Sequence, residues 1–298
     1  MFVICFSVTL LSRNFLSSYN LATLARSIAF ISIVAIGQTL VLITGEIDLS
    51  VGAVAGFTGV ISGWMMVNTS IPPWLCIVLG IAAGGICGLI NGLLITKVRL
   101  NSFVVTLGTT GIFSGLTLII TKGFAIVRLP ESIFVLGQGA LFGVPLPIVF
   151  MIILAGFWSF ILHSSVFGTH VYAVGCNSEA ARLVGIDVDR VKTTVFVASG
   201  AMASFAGIVM VARLTSAQPT IGLGWQLPSI AAAVIGGTPL SGGEGGPLGT
   251  IIGAALMGVL ENAIVLLGIS PYWQTVVSGL VVVVSVAMDT IRKRALAS

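Results

Sequence analysis

Six charged side chains, Glu179, Arg182, Asp187, Asp189, Arg190 and Lys192, fall within fourteen residues of a chain that is only 7% charged. Long apolar runs flank them on both sides. Acids and bases at this spacing can pair with one another, cap a helix or meet a charged partner. Other polar groups stand singly or in a pair inside apolar runs: Gln38, Asn91, Glu261 and Asn262. Such groups are costly in lipid unless paired or hydrated, so each is a candidate for a polar path, with interhelical hydrogen bonding as the competing reading. Enzyme signatures are absent. There is no Gly-Lys dipeptide and hence no phosphate-binding loop. His163 and His170 lack metal-ligand spacing. Cys5, Cys76, Cys87 and Cys176 lack CxxC spacing and read as small core residues.

The elements that must position these groups are membrane helices. The chain is 57% hydrophobic, with mean hydropathy +1.16. Apolar runs of about 20 residues, each long enough to cross a bilayer, recur along it. The expected fold is all-α, a polytopic bundle of about ten spans. After a stub at Met1–Ser12, read as the end of a truncated first helix, the spans are Leu24–Thr44, Leu49–Val67, Trp74–Thr96, Ser102–Thr121, Leu146–His163, Thr193–Ala212, a short Pro228–Gly237, Leu248–Gly268 and Tyr272–Asp289. The whole chain, 1–298, reads as one transmembrane domain. Ten spans place eight Lys and Arg residues on the side of both termini and five on the other, which favours cytoplasmic termini. The net charge of +4 then reflects helix ends rather than a nucleic-acid footprint. Gly80, Gly84, Gly88 and Gly92 make one smooth helix face, suited to packing or to a path. GLINGLLITKV (Gly88–Val98) resembles GVLENAIVLLGI (Gly258–Ile269) and aligns Asn91 with Asn262, a hint of an inverted repeat.

A charge at the bilayer centre costs roughly 2.5–3.5 kcal/mol on insertion scales. Six of them place Gly175–Lys192 in water, within a cytoplasmic loop at 164–192. There SEAARLVG predicts a short helix, with Ser178 as N-cap, Glu179 in the first turn and Gly185 as the stop. Its small side, Ala180 and Ala181, could enter a cleft on a cytoplasmic partner; a solvated connector is the plainer reading. Asp48, ahead of the third span, reads as a helix cap or a gate contact. Gly236–Gly246 reads as a Gly-rich inward-facing turn with Glu244 exposed.

Glu-Ala-Ala followed by three residues and Gly, in a cytoplasmic loop, resembles the coupling motif of bacterial ABC-importer permeases. ITGEIDLSVGAVAG (Ile43–Gly56), AVGCNSEAARLVGI (Ala173–Ile186), IAAAVIGGTPLSGGEGGPLGTIIGA (Ile230–Ala254) and LLGISPYWQTVVSGLVVVVSVAMD (Leu266–Asp289) resemble the monosaccharide permeases, whose ribose, xylose and galactose members are best known. The resemblance runs from about residue 14 to the end. It implies ten helices in the vitamin-B12-permease-like, type II importer arrangement. It also implies a second permease alongside, a cytoplasmic ATP-binding subunit pair that holds the ATP, and a periplasmic sugar-binding protein. No cofactor belongs to the chain itself. By this analogy Glu179, Ala180, Ala181 and Gly185 form the helix that couples to the ATPase. Glu46, Pro239 and Glu261 depart from the pattern, which has Gly, Ser and Asn there. Two other readings stay open: a permease for a branched-chain amino acid, polyol or autoinducer, and a stand-alone secondary transporter.

Overall fold

The computed structural model describes residue 9 and residues 14–297, with side chains except those of 286 and 288–297. The stub read at Met1–Ser12 and the basic tail side chains lie outside this, Thr9 apart. Twelve α-helices are present among the described residues: α1 Ser18–Ile43, α2 Val51–Asn68, α3 Pro73–Thr96, α4 Ser102–Thr121, α5 Phe134–Gln138, α6 Leu146–Ser164, α7 Val166–Cys176, α8 Ser178–Leu183, α9 Val188–Leu214, α10 Gln226–Ile235, α11 Pro247–Leu266 and α12 Trp273–Ala297. A two-residue hairpin, β1 Ala140–Leu141 and β2 Val144–Pro145, precedes α6. Seven helices, α1 to α4, α6, α9 and α11, are long and apolar enough to cross a membrane.

The bundle is built around α1 and α9. In α1 every residue from Ala29 to Ile43 is buried, because helices surround it on all sides. Long helix α9 packs on α1, α2 and α3. Its seam with α3 is the glycine face Gly80, Gly84, Gly88 and Gly92, so that face packs rather than lines a path. A β-carbon on Gly88 would fall on the Phe196 backbone, and one on Gly84 would meet Gly200 and Ser204. Backbones this close gain dispersion contacts that lipid cannot offer. The outward faces of α3, α4 and α6 carry exposed Val, Leu, Ile and Phe, including Val104, Ile119, Ile152 and Phe160. That exterior suits hydrocarbon.

Most spans end within a few residues of the boundaries read from sequence, and α4 matches at both ends. Asn101 caps its start by accepting from Phe103 N at 2.9 Å, and Lys122 ends it in the left-handed region at φ 51°. The eighth span is short, as read from the sequence, and lies within two residues of its expected bounds. Its helix, α10, has ten residues, about 15 Å at 1.5 Å per residue, which is half a bilayer. The rest of that traverse is irregular chain, residues 215–225. It dips back along the bundle until the Gly222 carbonyl occupies the space where Gly52 would carry a β-carbon.

Residues 44–50, between α1 and α2, are a second irregular segment inside the bundle. Where this segment is buried, side chains rather than water meet its backbone groups. Ser102, Thr106 and Thr110, spaced four apart on one face of α4, serve this segment. Ser102 Oγ accepts from Ile47 N at 3.3 Å. Thr106 donates to Ile47 O at 3.4 Å and Thr110 to Leu49 O at 3.0 Å.

Candidate coupling surface and polar interior

The charged stretch is more ordered than a loop. From Ser164 to Lys192 the chain forms α7, α8 and the start of α9. Helix α8 begins one residue earlier than expected, because Asn177 rather than Ser178 is the N-cap. Its side-chain oxygen accepts from Glu179 N at 3.0 Å and Ala180 N at 2.9 Å. Asn caps as well as Ser, so CNSE left the start open by one residue. Gly185 ends the helix as expected. It sits at φ 88°, its N–H donates to Arg182 O, and Ile186 N reaches back to Ala181 O, both at 3.0 Å. Only glycine adopts that conformation without strain. Asp187 then caps α9, accepting from Arg190 N at 3.0 Å.

The two alanines do not share a face. Ala181 is 3% exposed and packs in an apolar cluster with Val174, Val188 and Val191. Ala180 and Glu179 face outward, beside Leu183 and Val184 at 89% and 78% exposure. The free side of α8 therefore offers one acid and three apolar side chains. Its base is held by charge. Asp189 accepts from Arg99 at 3.0 and 3.2 Å, from Arg182 at 3.2 Å and from Lys97 at 3.5 Å. Three cations from the end of α3, the turn after it and α8 thus meet one carboxylate on α9. Arg99, Arg182 and Asp189 line a cleft of about 380 Å³ that also holds Glu46 and Lys192. Glu46 and Lys192 form an ion pair between the 44–50 segment and α9.

The Gly-rich turn 236–246 packs at this same end. Gly243 N donates to Ile43 O at 2.8 Å, and the Tyr172 hydroxyl on α7 donates to Gly245 O at 2.8 Å. Burial pushes the Tyr172 hydroxyl above its ordinary pKa, so it remains a donor across the physiological range. Gly175 leaves no room for a side chain against the Ile43 carbonyl.

The four polar groups inside apolar runs are not gathered into one lining. Gln38 and Asn91 belong to a knot around Asp48. Asp48 is 1% exposed; one oxygen accepts from Ser50 N at 2.9 Å and Ser50 Oγ at 2.6 Å, the other from Ser199 Oγ at 3.1 Å. Asn91 donates to Ser50 Oγ at 2.8 Å, and its own side-chain oxygen has no partner among the described residues. The Gln38 amide, turned to satisfy both neighbours, donates to Asp48 O at 2.9 Å and accepts from Asp48 N at 3.2 Å. Asp48 is thus a buried tie between α1, α2, α3 and α9 rather than a simple cap. Asn262 pairs with Asn20 of α1 through two amide hydrogen bonds of 2.9 and 3.1 Å. Glu261 borders a cavity. Sequence reasoning missed Tyr172, Ser199, Asn20 and Asp189 as organising residues. Each takes its meaning from a partner distant in sequence or on another element, so no local pattern marks it.

An apolar exterior, seven membrane-length helices among the described residues and irregular polar segments held inside the bundle are those of a multi-pass membrane protein. More particularly, the chain belongs to the family described as branched-chain amino acid transport system / permease component, whose model matches residues 20–286. It is 40% identical to the ribose import permease of Bacillus subtilis, over 97% of this chain and 90% of that protein. Against the ribose import permease of Escherichia coli K12 the identity is 38%, over 95% and 89%. Against the L-arabinose ABC transporter permease of Azospirillum brasilense it is 36%, over 98% and 86%. No solved structure matches the chain.

Proposed function

We propose that the chain, as one permease domain over 1–298, is the membrane-spanning subunit of an ATP-driven importer that passes a monosaccharide. The sugar comes from a periplasmic binding protein, ATP is bound and hydrolysed by a separate cytoplasmic subunit, and a second permease completes the pathway. The protein lies in the bacterial inner membrane with both termini cytoplasmic. The carrying observation is α8. A helix fixed at its base by Ala181 and the Asp189 cluster, with Glu179, Ala180, Leu183 and Val184 free, is built to be pushed by something outside the bundle. Motion there reaches the interior by two direct ties, Tyr172 to Gly245 and Lys192 to Glu46. Gln38, Asn91 and Asn262 hold the helices that move, and Glu261 borders the path.

Two variants test this in vesicles with the ATPase and binding protein added. Gly185→Pro and Glu179→Arg reach the membrane at parental levels, but sugar-stimulated ATP hydrolysis and uptake fall together by tenfold or more, roughly 1.4 kcal/mol of coupling. Parental uptake in both would sink the reading. Orientation is tested with an impermeant thiol reagent. Leu183→Cys reacts only in opened or inverted membranes, and Glu131→Cys in intact spheroplasts; the reverse pattern would invert the topology. The family description favours a second reading, a branched-chain amino acid as cargo. The ligand bound by the partner binding protein decides between the two.

A further inference from the structure

A cavity lined by the intramembrane acid Glu261 lies beside the irregular chain 215–225. It measures about 210 Å³, and its wall includes Trp225, Pro228, Glu261, Gln274, Thr275 and Ser278. Glu261 is the fifteenth residue of α11, about 21 Å along it at 1.5 Å per residue. Helix α11 starts beside Gly245, at the α7 and α8 end of the bundle, so Glu261 lies past the middle of its membrane-crossing length. The side-chain carboxylate of Glu261 accepts no hydrogen bond from any described residue; only its backbone oxygen is engaged, by Gln274 Nε2 at 3.2 Å. That contact leaves the Gln274 amide oxygen open. The Ser278 hydroxyl donates to Gln274 O at 2.8 Å and keeps its lone pairs for an incoming donor.

An unengaged carboxylate at this depth is not compatible with lipid. Irregular backbone inside a membrane is tolerated where it is buried in protein or lines a cavity, and transporters place substrate at such breaks. The chemistry of the wall then selects the occupant. A carboxylate, an amide oxygen and two hydroxyls accept hydrogen bonds, and nothing in the wall carries positive charge. A solute whose only charge is a carboxylate would meet repulsion from Glu261, and the carboxylate end of an amino acid, even with its ammonium on Glu261, finds no cation in the wall. A neutral polyhydroxyl ring donates to all of these groups and presents a C–H face to an aromatic wall such as Trp225. The volume lies below the ~300 Å³ of drug-sized sites, which suits a single sugar ring.

We infer that Trp225, Glu261, Gln274, Thr275 and Ser278 form a monosaccharide-binding site within the transport path. The inference rests on the permease reading above and assigns its cargo a place. Thr275, exposed on α12 at the cavity rim, gives a probe. In the full chain with its native cysteines replaced by serine or alanine, Thr275→Cys reacts with a water-soluble thiol reagent. About 100 mM ribose or arabinose, enough to fill a millimolar site, slows that reaction about tenfold, whereas leucine does not. Adding Glu261→Leu abolishes protection, and Glu261→Gln keeps part of it. The assay needs neither ATPase nor binding protein, so it fails independently of the coupling test. Equal rates with and without sugar would overturn the site. So would an unreactive cysteine, because a sugar cannot enter where water cannot, and protection by leucine in place of sugar would overturn its chemistry.

Discussion

Asp189 and Asp48 are both held against α9, one in its first turn and the other at Ser199, ten residues further along. Their surroundings are opposite. Asp189, at the watery end, gathers three cations that are themselves mostly exposed. Asp48, in the interior, gathers hydroxyls and a backbone N–H and has no ion pair among the described residues. In water a charge is cheaply met by another charge, and each such pair is worth little. In the dry interior a second full charge would bring its own desolvation cost, so neutral donors in fixed positions do the work. The same contrast separates contacts that are cheap to break from contacts that are not. Pairs made by exposed cations can be broken and remade at little cost, whereas Asp48, 1% exposed, is shut off from bulk solvent.

The comparison can be broken from the inside first. Asp48→Ala strands donors from Ser50 and Ser199, each costing about 1–3 kcal/mol when buried unmet. It is expected to lower the thermal midpoint of the detergent-solubilised protein more than any other change considered, while Asp48→Asn keeps part of the loss at bay. If Asp48→Ala melts with the parent, the knot is not what fixes the interior. Next comes the seam beside it. Gly88→Val forces α3 off the Phe196 backbone, and overpacking of this kind costs about 1–3 kcal/mol. Thermal melting reports it, and a neutral result would mean that the two helices slide freely. The Lys192–Glu46 pair is intermediate in burial, with side chains 18% and 15% exposed. Lys192→Ala should cost about 1–2 kcal/mol by leaving a half-buried acid unpaired. Adding Glu46→Gln should restore most of that, as a double-mutant cycle would measure. The smallest effect belongs to Asp189→Asn. It is expected to cost about 0.5 kcal/mol at low salt and nearly nothing at 1 M. A large, salt-independent loss would place Asp189 with Asp48 and erase the contrast.

Sequence alone carried the helices well wherever apolar length and a cap agreed, as at Asn101 and Lys122 around α4. It also placed Gly185, because a glycine after a short polar helix has few other uses. It placed the short run Pro228–Gly237 to within two residues of α10, but an apolar run of ten cannot reveal whether the chain before it is helical. It placed Asp48 at a helix start but not in a knot, since Ser199 lies 151 residues away. Glu46 looked anomalous against the resemblance until Lys192 appeared opposite it. Helix α8 was therefore legible as an element, and its anchoring was not, because anchoring here is a relation between segments far apart in the chain.

The half-length of α10 has a consequence for how the protein is made. An insertion machinery that recognises long apolar helices has nothing to grasp between Thr215 and Ile235, since α10 spans about half the hydrocarbon and residues 215–225 are not helical. Helix α10 packs on α1, α11 and α12, two of which are synthesised after it. The segment must therefore wait outside the hydrocarbon until those helices arrive and then enter as part of a protein-lined cavity. A nascent chain halted before α11 should leave 215–235 open to protease, and one released after α12 should protect it. The last stage of assembly would then be the one that closes the wall around Trp225.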